Sequence, residues 1–301
     1  RRVHGDSKQL EKYTMMRNSL HSTEYHSKDF KWEDLRNYVE SNPNYQHHIS
    51  PLHLRACLTT QLNVHGHSLK EDVKAWENFH LRHSSGQFFK ERRYLLKEFT
   101  ELSFSEIPSI LLEIGCGSGS SVVPILRGNS TITVYACDCS AEILSKAQQI
   151  VDASNVSNAR QRFFPFQCYF SSSSPGIPFK SFDFVTLIFT LSAVPLGRMG
   201  EVMNECFSVL KRGGLLLFRD YGLYDMAMLR FDPHKRVGVG EYTRSDGTRA
   251  YFFSLETVRD LFLTAGFVEV ELEFCCVNSV NRRKGKTMAR VWVHGKFQKP
   301  A

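Results

Sequence analysis

No apolar run in the 301 residues approaches the roughly 18 needed to cross a membrane as a helix, so a soluble protein without a membrane partner is expected. The eight cysteines, Cys57, Cys116, Cys137, Cys139, Cys168, Cys206, Cys275 and Cys276, include no Cys-x-x-Cys pair, and several fall in expected strands. Zinc and dithiol chemistry are therefore disfavoured, and buried, reduced thiols of an intracellular protein account for them better. Ten of the twelve histidines precede residue 84, but none has His-Glu-x-x-His spacing. Clusters such as His47-His48 and His65-Gly66-His67 read as polar surface, and no metal is expected. The chain opens on Arg1 rather than Met and without the apolar core of a secretory signal, which leaves open a start and targeting information upstream. Acid is the scarcer charge: 31 Asp and Glu stand against 38 Lys and Arg, a net charge of +7. That excess suits a polyanionic partner and equally a solvated basic surface.

Residues 1–70 are polar, rich in Ser, His, Asn and charge, and read as an extension that could be flexible. One short helix is expected in it at Trp32–Val39, stopped before Asn42-Pro43. Residues 71–109 read as a helical cap. Glu71, Val73, Trp76, Phe79 and His80 fall at helical spacings, and Phe88–Phe99 predicts a second, basic helix. From Ile110 onward short apolar runs alternate with amphipathic helices, the pattern of a parallel α/β sheet. The expected strands are Ile110–Ile114, Thr131–Ala136, Arg162–Tyr169, Phe182–Thr190, Gly214–Asp220, Val268–Val277 and Ala289–Phe297. The expected helices lie near Ser120–Arg127, Ala141–Ala153, Arg198–Lys211 and Ser254–Ala265. Lys211-Arg212-Gly213-Gly214 suits a helix end followed by a C-terminal turn, and the basic loop Asn281–Lys286 suits an antiparallel hairpin at the sheet edge. The fold class is α/β, a doubly wound, seven-stranded, Rossmann-like sheet behind an N-terminal helical cap.

The sharpest local signal is Glu113-Ile114-Gly115-Cys116-Gly117-Ser118-Gly119, an apolar strand running into alternate glycines with a helix directly after. Glycine serves where the backbone turns sharply and a ligand must lie against it, and open α/β sheets bind ligands at the carboxyl ends of their strands. A nicotinamide-type Gly-x-Gly-x-x-Gly loop would require glycine at position 120, which is Ser120. Asp138 closes the next strand 23 residues after Gly115, where a carboxylate can accept from both hydroxyls of a ribose or can cap the helix from Ala141. Phe182–Thr190 is nearly all apolar, so most of it is core and its carboxyl end is the site candidate. Beyond it, arginine, aspartate and tyrosine interleave over residues 217–231 and 242–253. These are materials for recognising an unpaired base: aromatics stack, arginines hold phosphates, and a carboxylate accepts from an exocyclic amine. An aromatic-rich lid over any flat substrate is the alternative.

Several of these stretches together resemble the tRNA 3-methylcytidine methyltransferase family: residues 111–126 (LLEIGCGSGSSVVPIL), 135–140 (YACDCS), 187–194 (LIFTLSAV), 217–231 (LFRDYGLYDMAMLRF), 244–249 and 280–297, with a cap segment over 76–92. The likeness runs over about residues 72 to 300. It implies a class I methyltransferase domain over 110–301 and methyl transfer from S-adenosyl-L-methionine to N3 of a cytidine in the anticodon loop of tRNA. Cofactor contacts are implied for Trp76, His80, Glu113, Gly115, Gly117, Gly119, Asp138, Tyr169, Phe170 and Ile188. Arg219, Asp220 and Tyr221 are implied to place the cytidine, with Asp220 meeting the positive charge that methylation creates. RNA contacts are implied for Lys90, Arg92, Arg93, Tyr224, Arg230, Arg244, Arg249, Arg282, Arg283 and Arg290. A helper such as an aminoacyl-tRNA synthetase and a cytoplasmic location, with organellar or nuclear ones open, complete the expectation. The chain departs from the family pattern at His80 (tyrosine in the family), Tyr169 (aspartate), Pro195-Leu196 (His-Pro) and Met226 (histidine). Two rivals stay open: a degenerate methyltransferase domain that binds RNA or protein without turnover, and a methyltransferase for small molecules or proteins.

Overall fold

A computed structural model describes residues 28–51, 69–83, 90–103, 105–168, 177, 181–281 and 286–301. In chain order the elements before the sheet are helices α1 (Trp32–Ser41), α2 (Gln46–Ile49), α3 (Leu69–Arg82) and α4 (Leu95–Glu98). Then follow β1 (Ser109–Ile114), α5 (Val122–Gly128), β2 (Ile132–Asp138), α6 (Ala141–Asp152), α7 (Ala159–Arg162), β3 (Phe163–Gln167), β4 (Phe182–Ile188), α8 (Leu196–Val209) and β5 (Leu210–Tyr221). The chain continues through β6 (Arg236–Gly238), β7 (Glu241–Thr243), β8 (Arg249–Tyr251), α9 (Leu255–Thr264), β9 (Val268–Asn281) and β10 (Lys286–Gln298).

The main sheet has seven strands in the order β3-β2-β1-β4-β5-β10-β9. The first five run parallel, while β10 is antiparallel to both β5 and β9. Neighbouring residues divide between its faces. Leu112, Leu187 and Leu216 pack with Met199, Val202, Met203 and Cys206 of α8 and Val258 and Phe262 of α9. Leu111, Ile188 and Leu217 pack on the other side with Leu95, Phe99, Val122, Ile125 and Leu144. Helices on both faces explain why these strands read as continuous apolar runs. The winding direction reverses between β1 and β4, and a crevice opens at the carboxyl ends of those two strands.

Five expectations change. Residues 28–51 do not hang apart as an extension. Val39 is fully buried among Tyr224, Met228, Tyr242 and Phe252, and the Trp32 ring stacks 4.7 Å from Phe274 while its Nε1 donates to Leu223 O at 3.1 Å. His48, expected at the surface, is buried with Nδ1 2.8 Å from the Tyr242 hydroxyl. Among the described residues of the basic helix expected over 88–99, only the single turn α4 forms, because the backbone of Arg92 turns to donate to Ser120 O at 2.8 Å instead of propagating a helix. Residues 236–251, where no strand was expected, form a small antiparallel sheet in the order β6-β7-β8. Finally, α8 ends at Val209, and Gly213, with φ +76°, sits inside β5, where its N–H donates to Lys299 O at 2.9 Å. The seven described cysteines are free thiols, six of them buried, and Cys57 lies outside the described residues.

Candidate active site

The loop after β1 is built on three left-handed glycines, Gly115 (φ +70°), Gly117 (φ +53°) and Gly119 (φ +80°). Gly115 and Cys116 donate their N–H groups to Cys137 O at 2.8 and 3.1 Å, tying the loop to β2. A Cβ on Gly115 would collide with the side chain of Thr190, whose hydroxyl donates to Ile114 O at 2.9 Å. A Cβ on Gly117 would meet no protein atom within 4 Å, so this stretch of backbone is bare toward the crevice. Gly119 differs. A Cβ there would touch Ala147 at 3.6 Å, and the residue lies outside the crevice lining, so it serves loop and helix packing rather than ligand contact.

Asp138 stands at the end of β2 with 9% of its surface exposed. Its Oδ2 accepts from Gly117 N at 3.0 Å and Oδ1 from Ser140 N at 3.2 Å. The cap of α6 is Ser140, whose Oγ accepts from Ile143 N at 3.3 Å. Asp138 therefore braces the glycine loop and keeps lone pairs facing the crevice, where it forms part of the wall.

The crevice is a cavity of about 520 Å³. Helix α3, with acidic residues in its first turn and His80 and Arg82 in its last as the helix dipole favours, lays Trp76, Phe79 and His80 over it, and His83 follows directly after. Burial lowers the pKa of His80 below its ordinary 6.5, against the opposing pull of Asp138. Ile188, Phe189 and Thr190 form the wall at the end of β4, with Tyr221 beyond. Phe189 holds φ +55°, a strained value for a bulky residue, fixed by its N–H donating to Arg219 O at 2.7 Å. Its ring lies 5.1 Å from that of Tyr221. Arg92, Arg198, Arg244 and Arg249 reach the rim among Asp72 and Asp246.

Several residues expected to touch ligand sit elsewhere. Arg219 is 1% exposed and ion-paired to the buried Glu98, with Trp292 4.5 Å below its guanidinium; it joins strands to the cap and does not touch the cavity. Asp220 is fully buried, its Oδ2 accepting from Ser192 N at 2.9 Å and its Oδ1 from Tyr221 N at 2.8 Å. Burial pushes its pKa up to about 6 against the hydrogen bonds of Ser192. Asp220 thus acts through Ser192 and Tyr221, which do line the cavity. Glu113 also lies behind the loop, pushed up to about 7 by burial and held down in part by Arg92. Tyr224 is 6% exposed and donates to Glu40 at 2.8 Å, and Arg290 donates to the buried Asp225 at 2.8 Å, so both are engaged in contacts that hold the fold. Burying such charges without partners would be costly, and Arg219, Asp220 and Arg290 are each paired.

Lys90, Arg93 and Arg230 are exposed, Arg93 beside Glu91 at 2.8 Å. Arg249 is held between Asp72 and Glu241 at 3.3 and 3.2 Å, and Arg244 donates to Arg249 O at 2.7 Å. Tyr169, Phe170, Arg282 and Arg283 lie outside the described residues. Phe189 and Thr190 lie at the carboxyl end of β4, the part of that strand expected at the site, whereas Arg198 and His83 are wall residues that nothing in the sequence singled out. Among the described residues no group of three or more His, Cys, Asp or Glu could hold a metal ion.

A family model described as "Methyltransferase domain" matches residues 87–272. Human tRNA N(3)-cytidine methyltransferase METTL6 is 38% identical over 237 residues, covering 77% of this chain and 81% of that protein. The rat protein of the same name is 41% identical, with 77% and 80% covered. Drosophila melanogaster tRNA N(3)-methylcytidine methyltransferase Mettl2 is 38% identical over 240 residues, with 75% and 71% covered. Among solved structures, Burkholderia thailandensis 1,6-didemethyltoxoflavin-N1-methyltransferase superposes with a TM-score of 0.54 at 13% identity, covering 78% of this chain and 92% of that one, and shows the same fold. The chain belongs to the tRNA N(3)-cytidine methyltransferase family.

Proposed function

We propose that this chain transfers the methyl group of S-adenosyl-L-methionine to N3 of a cytidine in the anticodon loop of tRNA. The observation that carries the reading is one cavity on which the bare Gly115–Gly117 backbone, the Asp138 carboxylate, an aromatic wall and an arginine rim converge. The residues fit the cofactor. Gly117 leaves room against the loop, Asp138 retains acceptors for hydroxyls, and Ile188, Trp76 and Phe79 offer apolar surface to a flat ring. When bound, that cofactor supplies an electrophilic methyl group.

Cytosine N3 carries a free lone pair, so the chain has no proton to remove and its task is alignment. N3 lies on the pairing edge, which requires an unpaired or flipped base, and an anticodon loop offers one. Phe189 and Tyr221 present aromatic surface for such a base, and Arg244 brings positive charge toward its backbone. Asp220, an anion at neutral pH with its pKa near 6, holds Ser192 and Tyr221 in place and puts negative charge behind a site where a cation forms. A helper protein, an aminoacyl-tRNA synthetase for example, would present the loop.

The test is transfer of labelled methyl to tRNA lacking this modification, followed by nucleoside analysis. Label is expected in 3-methylcytidine and lost in Asp138→Ala. No label from folded protein, with candidate helpers added, would favour a binding module without turnover.

A further inference from the structure

Four arginines stand in the described wall of the cavity, and three of them have work within the fold. Arg92 donates through Nη1 to Ser121 Oγ at 3.0 Å. Arg249 is held between Asp72 and Glu241. Arg244 donates to Arg249 O at 2.7 Å and to Thr248 Oγ1 at 3.4 Å, across the turn between β7 and β8. Arg198 differs. Among the described residues it makes no hydrogen bond, and its Nη2 is shut off from solvent without a partner. Its one ionic neighbour is Glu201, 3.6 Å from Nε and 47% exposed, three residues further along α8.

The position of Arg198 does not serve stability either. It lies in the first turn of α8, which holds no acidic residue, and a cation at that end opposes the helix dipole. A loose surface pair such as that with Glu201 returns little, and a sealed donor without an acceptor costs free energy. The carboxylates of the cavity wall are committed elsewhere. Asp72 holds Arg249, Asp138 accepts from Gly117 and Ser140, and Asp246 accepts from Thr248 and lies 3.5 Å from Arg82. With 25% of its side chain exposed, Arg198 remains open to an anion from outside the chain.

Its place in the wall says which anion. The groups that fit the cofactor come from the loops after β1 and β2 and from α3. Arg198 comes from the other side, on the chain that leaves β4 through Ser192, whose N–H is held by Asp220, and continues the wall through Ala193, Val194 and Pro195. Tyr221, the aromatic neighbour bonded to the same Asp220, stands on that side too. A nucleotide that enters with its base toward Tyr221 carries a phosphate on each flank, and a guanidinium matches phosphate oxygens in charge and in fork geometry. We propose that Arg198 binds a backbone phosphate flanking the target cytidine and so fixes how the base enters the cavity. This rests on the reading of the cavity as a site for S-adenosyl-L-methionine and cytidine.

The experiment pairs wild type, Arg198→Gln and Arg198→Lys with tRNA in which the phosphate on the 5′ or the 3′ side of the methylated cytidine is native or a neutral methylphosphonate, with any helper that wild type needs. In wild type, neutralising one of the two phosphates should raise KM about tenfold, the worth of a charge-assisted hydrogen bond. Arg198→Gln should show the same rise on native tRNA, and the methylphosphonate should then add nothing. Its tRNA affinity should also depend less on salt, by about 0.7 in the log–log slope. Arg198→Lys, which keeps the charge without the fork, should keep the wild-type slope. Affinity for S-adenosylhomocysteine without RNA should not move, and the melt of Arg198→Gln should not fall below that of wild type.

The proposal is overturned if the losses from Arg198→Gln and from both methylphosphonates multiply, because the arginine then acts apart from either phosphate. It is also overturned if Arg198→Gln loses S-adenosylhomocysteine, which would assign the arginine to the carboxylate of the cofactor, or if its melt falls, which would return it to the fold. Wild type that binds S-adenosylhomocysteine but methylates no RNA would remove the reading of the cavity itself, and the phosphate contact with it.

Discussion

Residues 115–119 and 219–225 leave the carboxyl ends of strands separated by a single neighbour in the sheet, and they use that position in opposite ways. The first segment gives the crevice its backbone: Gly115 and Gly117 have nothing to put between the main chain and a ligand. The second gives the crevice almost nothing directly. Arg219, Asp220 and Asp225 are each 1% exposed or less, and their charges are spent on Glu98, on the N–H groups of Ser192 and Tyr221, and on Arg290 and the Val291 N–H. Tyr221 alone of the residues expected to place the base reaches the cavity wall. A dense run of charge at the open face of an α/β sheet therefore need not face the ligand. It can be the device that fixes the strands and loops on which the site stands.

The largest effect expected from this contrast is on stability. If Arg219 ties β5 to the cap, Arg219→Met leaves the buried Glu98 with His294 alone, and breaking such a buried pair costs about 3–5 kcal/mol. The denaturation midpoint should fall accordingly. A variant that melts like wild type but has lost turnover would return Arg219 to the reacting centre and erase the distinction between the two segments.

The glycine loop should show the reverse signature. Gly115→Ala places a methyl group against Thr190 and asks for a left-handed alanine, a strain of about 1–2 kcal/mol before the clash is counted. Affinity for S-adenosylhomocysteine should drop by roughly 100-fold or more. Gly117→Ala meets no protein atom, so calorimetry should record lost binding with a nearly unchanged melt. Equal binding by both variants and wild type would mean that the bare backbone is not where the cofactor lies.

A smaller effect follows from the buried acids and His294. Burial opposes the charged form of His294, but hydrogen bonds to Glu271 and Glu98 outweigh it, and its pKa is raised above 6.5. Its contribution to stability is complete below 6.5 and is lost as pH rises through the folded value. Glu113 and Asp220, raised to about 7 and about 6 chiefly by burial, act in the same direction, because the folded state binds more protons than the unfolded one over those windows. Glu271 acts oppositely. The hydrogen bond with His294 lowers it to about 2, so its contribution is present above 4.5 and lost as pH falls through about 2. Melting temperature should therefore be higher at pH 5 than at pH 8, and His294→Asn should flatten the slope on the alkaline side. A melt that rises steadily from pH 5 to 8 would contradict the buried network.

What the sequence made legible follows from where each constraint is written. Leu111 and Leu112, or Leu216 and Leu217, are buried on opposite faces, so the central strands appear as unbroken apolar runs. The turn after β1 can be built only with small residues at left-handed positions, so Gly115 and Gly117 stand out. Asp138 was legible by its place at a strand end. Other features depend on partners far along the chain. Trp32 meets Leu223, and His48 meets Tyr242, across more than 190 residues, and nothing local in a polar stretch announces such burial. Arg92 has the composition of a helix around it, but its bonds to Ser120 and Ser121 override that propensity. Charge alone could not separate Arg249, on the rim, from Arg219, in the core.

The finest test concerns Tyr224, in the same charged segment and expected to face RNA. Its hydroxyl donates to Glu40 at 2.8 Å, and its ring lies 5.9 Å from that of Trp32, so it fastens α1 to the loop after β5. Tyr224→Phe removes that one hydrogen bond and leaves the stacking, a loss of about 1 kcal/mol. In a double-mutant cycle with Glu40→Ala the two losses should fall short of adding, because both delete the same contact. Affinity for tRNA should stay unchanged in Tyr224→Phe. If affinity fell while the melt held, the aromatic residue would belong to the RNA surface after all, and the part of this segment that touches ligand would extend beyond Tyr221 to Tyr224.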